Sequence, residues 1–129
     1  MPTYDFSGQV ALITGGYRGQ GRSHARRFAE AGADVAVVDV TENVLETAPY
    51  DLADAGDKEE TLGIIEDAGA EALAVDADVR HEDEVEHAVQ STIDELGKID
   101  VMINNAGIST VAETVDMTAE MWDEMLDVN

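Results

Sequence analysis

Short apolar runs and segments of helical spacing alternate along this chain. Residues 10–14, Val10-Ala11-Leu12-Ile13-Thr14, form an unbroken apolar run bounded by turn residues, the pattern of a strand buried on both faces. Residues 22–31 take helical spacing and stop at Gly32, where glycine suits a left-handed cap. Residues 34–40 read as a second strand. Between 41 and 57 the periodicity breaks down among Pro49, Gly56 and many acids, predicting a long exposed connection. Residues 58–68 resume helical spacing up to Gly69, and a third strand is expected over 71–78. Residues 82–96 place Val85, Ala88, Val89, Ile93 and Leu96 on one helix face, ending at Gly97. A fourth strand over 99–104, a loop over 105–116 and a helix opening at 118 complete the pattern.

Strands separated by helices imply βαβ units with right-handed crossovers, hence an α/β fold built on a parallel sheet. A length of 129 residues allows one domain, and 44% hydrophobic residues suffice for a core. There is no run of 18 apolar residues, and the first residues lack the basic and apolar regions of a signal peptide. A cytoplasmic protein is therefore expected, without membrane insertion. Cysteine is absent and the histidines, His24, His81 and His87, are scattered, so no metal site is expected.

Charge changes the picture in two ways. The formal net charge is −22, from 29 acids against seven bases, which disfavours nucleic acid and anionic membranes as partners. The acids are spread along helices rather than gathered in a tail, as expected for a halophilic protein whose self-repulsion is screened by salt; an acidic interaction surface is the competing reading. Four arginines, Arg18, Arg22, Arg26 and Arg27, nevertheless face only two acids within residues 1–30. Arg26 and Arg27 have a plain alternative role in ion pairs with nearby acids.

That basic stretch coincides with the glycine-rich turn Thr14-Gly15-Gly16-Tyr17-Arg18-Gly19-Gln20-Gly21 between the first strand and helix. Glycine lets backbone approach a pyrophosphate closely, and the helix behind it aims unpaired N–H groups and its positive dipole end at the anion. A P-loop would need Gly-Lys-Ser/Thr, but Arg22-Ser23 follows Gly21. The usual Gly-x-Gly-x-x-Gly fails because His24 stands at its third position. What fits is Thr-Gly-x-x-x-Gly-x-Gly at Thr14, Gly15, Gly19 and Gly21.

In that motif the chain resembles the short-chain dehydrogenase/reductase family, and the likeness runs along essentially its whole length. Asp39 closes the second strand, Asp78-Val79 the third and Asn104-Asn105-Ala106-Gly107 the fourth, while Trp122-Asp123 through Val128-Asn129 matches the following helix. The resemblance implies a Rossmann-like, doubly wound parallel sheet of order 3-2-1-4, with 1–129 as the N-terminal NAD-binding part of a single domain truncated before its C-terminal strands. An apolar fourth strand left at the sheet edge would then favour aggregation.

The same resemblance implies site roles. Gly15, Tyr17, Arg18, Gly19, Gln20 and Gly21 would surround the pyrophosphate. Asp39 would accept hydrogen bonds from the ribose hydroxyls and repel a 2′-phosphate, favouring NAD. Arg18 points the other way, since a basic residue there contacts that phosphate in some relatives. Asp78 would bond the adenine amino group with Val79 beside the base, and Asn105, Ala106 and Gly107 would border the cofactor, Gly107 permitting the turn. Asn129 aligns with the active-site asparagine that anchors a water in the proton relay; a merely exposed helix residue is the alternative.

Gln20, the flanking Arg22-Ser23-His24-Ala25 and the insert containing Pro49-Tyr50-Asp51-Leu52 resemble the mycofactocin-associated branch, in which NAD exchanges poorly and an external redox partner recycles it. The family's catalytic serine and Tyr-x-x-x-Lys have no counterpart: Tyr4, Tyr17 and Tyr50 are followed four residues on by Gly8, Gly21 and Asp54. The expectation is the cofactor-binding half of an NAD-dependent oxidoreductase for a small alcohol or ketone, homo-oligomeric when whole and unable to transfer hydride as this chain alone. A non-catalytic NAD(P)-binding sensor or partner protein is the alternative. Acidic self-repulsion further predicts that the melting temperature rises steeply from dilute buffer to molar KCl, measured by circular dichroism; a flat profile would refute the halophilic reading.

Overall fold

The computed structural model describes residues 3–129. β1 (Val10–Thr14), β2 (Asp34–Asp39), β3 (Ala72–Asp76) and β4 (Val101–Ile103) alternate with α1 (Gly19–Glu30), α2 (Ala55–Asp67) and α3 (Glu82–Leu96). A 3₁₀ turn at Thr114–Asp116 precedes α4 (Ala119–Val128). The strands form a parallel sheet of order β3-β2-β1-β4. The expected strand order is thus the observed one. Among the described residues no helix is long and apolar enough to cross a membrane.

Strand alternation divides the core into two layers. Ile13, Val35 and Val37 point to one face, where they pack with Tyr17, Ala25 and Ala29 from the β1–α1 segment and Ile65 of α2. Leu12, Ala36, Val38 and Val75 point to the other, against Ala88 of α3. Every residue of β1 is buried because helices cover both faces, which is why Val10 to Ile13 are all apolar.

Several boundaries and one helix face differ from the expected ones. α1 starts three residues earlier than its periodicity indicates, at Gly19, with Arg18 as an extended N-cap that makes no side-chain cap bond. α2 also starts early, because Asp54 and Asp57 form a reciprocal capping box: Asp57 N donates to Asp54 Oδ1 (2.8 Å) and Asp54 N to Asp57 Oδ2 (3.1 Å). β4 begins only at Val101; just before it Asp100 N donates to Val10 O at 2.9 Å while Asp100 Oδ2 takes the Val10 N–H at 2.8 Å. On α3 the buried residues are Ala88 and Thr92, whereas Ile93 is 41% exposed. Thr92 tolerates burial because its hydroxyl donates to Ala88 O at 2.8 Å.

The connection before α2 is also not simply exposed. Leu45 and Ala53 are buried, and Asn43 accepts the Leu52 N–H at 2.7 Å, closing the segment on itself. Arg26 and Arg27 make no ion pairs among the described residues, so the pairing considered for them is not seen.

The two isoleucines separate buried from exposed helix faces. Ile65→Ala should cost about 3 kcal/mol by denaturant titration, as a fully buried truncation does. Ile93→Ala should cost less than about 1 kcal/mol, against the several that a core position would require.

Candidate functional site

The site lies at the C-terminal ends of the strands, around the β1–α1 turn. Gly15 and Gly19 adopt φ of +67° and +60°, which a side chain would strain. Gly21 is required for space: a Cβ there would lie 2.0 Å from Gly15 O. The turn and the first turn of α1 therefore pack backbone against backbone.

Thr14 and Asn105 fasten the loop after β4 to this turn. Thr14 Oγ1 accepts the N–H groups of Asn105 and Ala106, each at 3.1 Å. Asn105 Nδ2 in return donates to Thr14 O (3.2 Å) and Gly15 O (3.3 Å). Gly107 has no positive φ, so the turn does not depend on its backbone freedom. Its small size matters instead, because a Cβ would stand 3.2 Å from Asn129 Oδ1.

These contacts border a cleft of about 350 Å³. Its wall includes Gly15, Arg18, Gly19 and Gln20 from the turn, Asp39, then Asp78 and Val79, and finally Asn105, Ala106 and Gly107. The fold thus gathers ten of the expected site residues around one space.

Tyr17, Gly21 and Asn129 do not line it. Tyr17 is fully buried on the core side, its hydroxyl donating to Asp76 Oδ1 at 2.6 Å; burial pushes that hydroxyl's pKa far up and the Asp76 bond adds to the shift. Its main chain does the connecting work: Tyr17 O accepts from Arg22 Nη2 (2.7 Å) and Thr61 Oγ1 (2.8 Å), joining the turn to α2. Gly21 sits beneath the turn. Asn129 clips the loop after β4, its Oδ1 accepting Ile108 N at 2.8 Å and its Nδ2 donating to Ile108 O at 3.0 Å.

Asp39 is held from two sides, Val40 N donating to Oδ1 (2.8 Å) and Tyr17 N to Oδ2 (3.2 Å). Burial pushes its carboxyl above the ordinary range, opposed by these two N–H groups and the Arg18 charge. Arg18 itself donates from Nη2 to Asp51 O at 2.5 Å. Asp78 carries a forked pair with Arg80, whose Nε lies 3.1 and 3.0 Å from the two carboxylate oxygens and whose Nη2 lies 2.6 Å from Oδ2. Burial alone would raise the Asp78 carboxyl, but the Arg80 bonds and charge hold it below the usual range.

Sequence reasoning missed the far wall. Val44, Leu45, Tyr50, Leu52 and Ala53 from the connection before α2 close the cleft. Tyr50 Oη accepts Ser109 N at 3.0 Å, and Arg80 Nη2 reaches Val44 O at 3.2 Å. The available signal was the apolar content of an otherwise acidic segment, Val44-Leu45 and Tyr50 to Ala53. Arg80 could have been noticed as one of few bases, two residues beyond a strand-end aspartate.

A parallel sheet, a glycine turn leading into a helix N-terminus and an acidic residue ending β2 define the dinucleotide-binding class of α/β proteins. Within that class the chain belongs to the short-chain dehydrogenase family, whose model, described as "short chain dehydrogenase", matches residues 9–129. It is 42% identical over 123 residues to (-)-trans-carveol dehydrogenase of Rhodococcus erythropolis, covering 95% of this chain and 44% of that protein. Among solved structures, carveol dehydrogenase from Mycobacterium avium in complex with NAD superposes with a TM-score of 0.90 at 33% identity, covering 97% of this chain and 45% of that one. A short chain dehydrogenase from Mycobacterium paratuberculosis bound to NAD gives 0.92 at 35% identity, covering 96% and 46%. The chain thus spans less than half the length of these relatives.

The close approach of Gly21 to Gly15 sets a clear test. Gly21→Ala should lower stability by about 3 kcal/mol, because a backbone oxygen must move. Gly19→Ala, which meets open space, should cost about 1–2 kcal/mol through its φ alone. Chemical denaturation of both variants reads the difference, and equal losses would contradict the packing argument.

Proposed function

We propose that this chain is the NAD-holding part of an NAD-dependent oxidoreductase acting on a small alcohol or ketone, within a single domain of which residues 1–129 form the N-terminal portion. The observation that carries this reading is Asp39: a carboxylate at the end of β2, fixed by Tyr17 N and Val40 N and lining the cleft. So placed it suits a ribose diol and opposes a 2′-phosphate, while Arg18, the one residue that argued for NADP, is engaged on Asp51 O. The cradle suits a dinucleotide, since Gly15 and Gly19 line the cleft where α1 begins and a Cβ at Gly19 would stand in open space.

In this reading the Gly15–Gly21 turn and the first N–H groups of α1 hold the pyrophosphate. Asp39 fixes the adenosine ribose, Asp78 and Val79 receive adenine, and the loop from Asn105 to Gly107 bounds the other side. NAD, when bound, supplies the hydride acceptor or, reduced, the donor. Asn129 anchors a water of the proton relay, with its side chain already steadying the loop at Ile108. The chain contains no Tyr-x-x-x-Lys, so it brings no tyrosine paired with a lysine to move the substrate proton.

The wall formed by Val44, Leu45, Tyr50, Leu52 and Ala53 supports the narrower assignment to the mycofactocin-associated branch, with a cofactor slow to exchange and an external redox partner. The acidic composition supports a halophilic protein without nucleic-acid or anionic-membrane partners, and the family resemblance supports homo-oligomer formation by the whole enzyme.

Fluorescence titration of the folded chain in high salt tests the reading. NADH should bind at least about tenfold more tightly than NADPH, a gap of roughly 1.4 kcal/mol, and Asp39→Ser should narrow it. No turnover of alcohols with NAD is expected from this chain alone. Tighter binding of NADPH, or no binding of either from a folded sample, would overturn the proposal.

A further inference from the structure

Glu124 belongs to α4, on a helix whose neighbouring Trp122 and Leu126 are 60% and 63% exposed, yet Glu124 itself is 7% exposed. A glutamate turned inward needs partners, and it finds them far away in sequence. Its Oε1 accepts the Glu46 N–H at 2.8 Å, and its Oε2 accepts the Thr47 N–H at 3.1 Å together with the Thr47 hydroxyl. Both oxygens are thus committed to two consecutive residues of the segment that closes the cleft. The residues immediately before them, Val44 and Leu45, are part of its wall, as is Val128 one turn further along α4.

We propose that Glu124 is a positioning residue, the latch that keeps the segment around Val44 and Leu45 closed over the cleft and thereby sets how fast a bound dinucleotide leaves. The proposal rests on the NAD reading above. Burial opposes ionisation of Glu124, but the Thr47 hydroxyl and the two N–H groups hold its pKa below the ordinary value, so the latch is a charged acceptor. Arg80 stands on the same side, reaching Val44 O while paired with Asp78. The opposite end of the segment has separate ties, Arg18 to Asp51 O and Tyr50 to Ser109 N. Opening the Leu45 end therefore requires breaking the Glu124 bonds, leaving two N–H groups to find water.

The test uses the full chain in high salt, with Glu124→Gln, Thr47→Val and the double variant. Amide hydrogen exchange is read at residues 46 and 47 without nucleotide, and NADH release is read by stopped-flow fluorescence with excess NAD as the trap. Glu124→Gln should accelerate exchange at both amides and raise the NADH release rate at least about tenfold, the scale of lost bonds to a charged acceptor, with little change in association rate or melting temperature. Thr47→Val, which keeps its backbone bond and serves if Glu124→Gln fails to fold, should raise release by a smaller factor. Because both side chains act through the same contact, the double variant should release NADH no faster than Glu124→Gln. Unchanged exchange at residues 46 and 47 in Glu124→Gln, or unchanged release from a variant that exchanges faster, would overturn the latch alone. A folded wild-type chain that binds no NADH would overturn the NAD reading, and with it the claim about release.

Discussion

The contact between Gly21 and Gly15 O is the constraint on which the site depends. A Cβ at position 21 would come within 2.0 Å of that oxygen, so the first turn of α1 rests directly on the backbone that leaves β1. This approach brings the start of the helix to the strand end and leaves its first N–H groups beside the cleft. It also explains why α1 begins inside a glycine-rich stretch, despite the roughly 1 kcal/mol that each interior glycine costs a helix. Thr14 and Asn105 bond the loop after β4 to the same few atoms, so the ends of two adjacent strands are held as one surface.

Around that surface, the scarce basic residues act as internal ties. Arg22 gathers Tyr17 O, Thr61 and Asp57, Arg80 gathers Asp78 and Val44 O, and Arg18 takes Asp51 O. Arg22 joins the glycine turn to α2, Arg80 joins the segment after β3 to the connection before α2, and Arg18 joins the start of α1 to that same connection. In a chain of net charge −22 a guanidinium has many acidic partners available, and its fork satisfies a carboxylate and a carbonyl together. The surplus of acids on the helices leaves these few contacts as points where negative charge is neutralised locally. Glu124 is the converse case, an acid that works by accepting backbone N–H groups.

The periodicity and motifs of the chain carried the strand order, the alternation of helices and half of the cleft wall. They could do so because a buried parallel strand must be apolar throughout and a dinucleotide turn needs glycine at fixed spacing, constraints that act within a few residues. The starts of α1 and α2 were less legible, since glycine and clustered aspartates resemble a loop until the Gly15 contact and the Asp54–Asp57 box are seen. Tyr17 illustrates another limit. Its place inside the glycine turn suggested a ligand contact, but a bulky ring there is drawn into the core, where Asp76 satisfies its hydroxyl.

Sequence alone therefore determined the fold class, the strand order through its family motif and the positions of Gly15, Asp39, Asp78 and Asn105 at or just beyond strand ends, with Gly19 where the turn leads into α1. Only the tertiary structure decided what covers the cleft and which residues hold the cover. The bonds from Glu124 to Glu46 and Thr47 span 78 and 77 residues. Such pairings follow from where the sheet brings α4 and the connection before α2 together, and no local spacing encodes them.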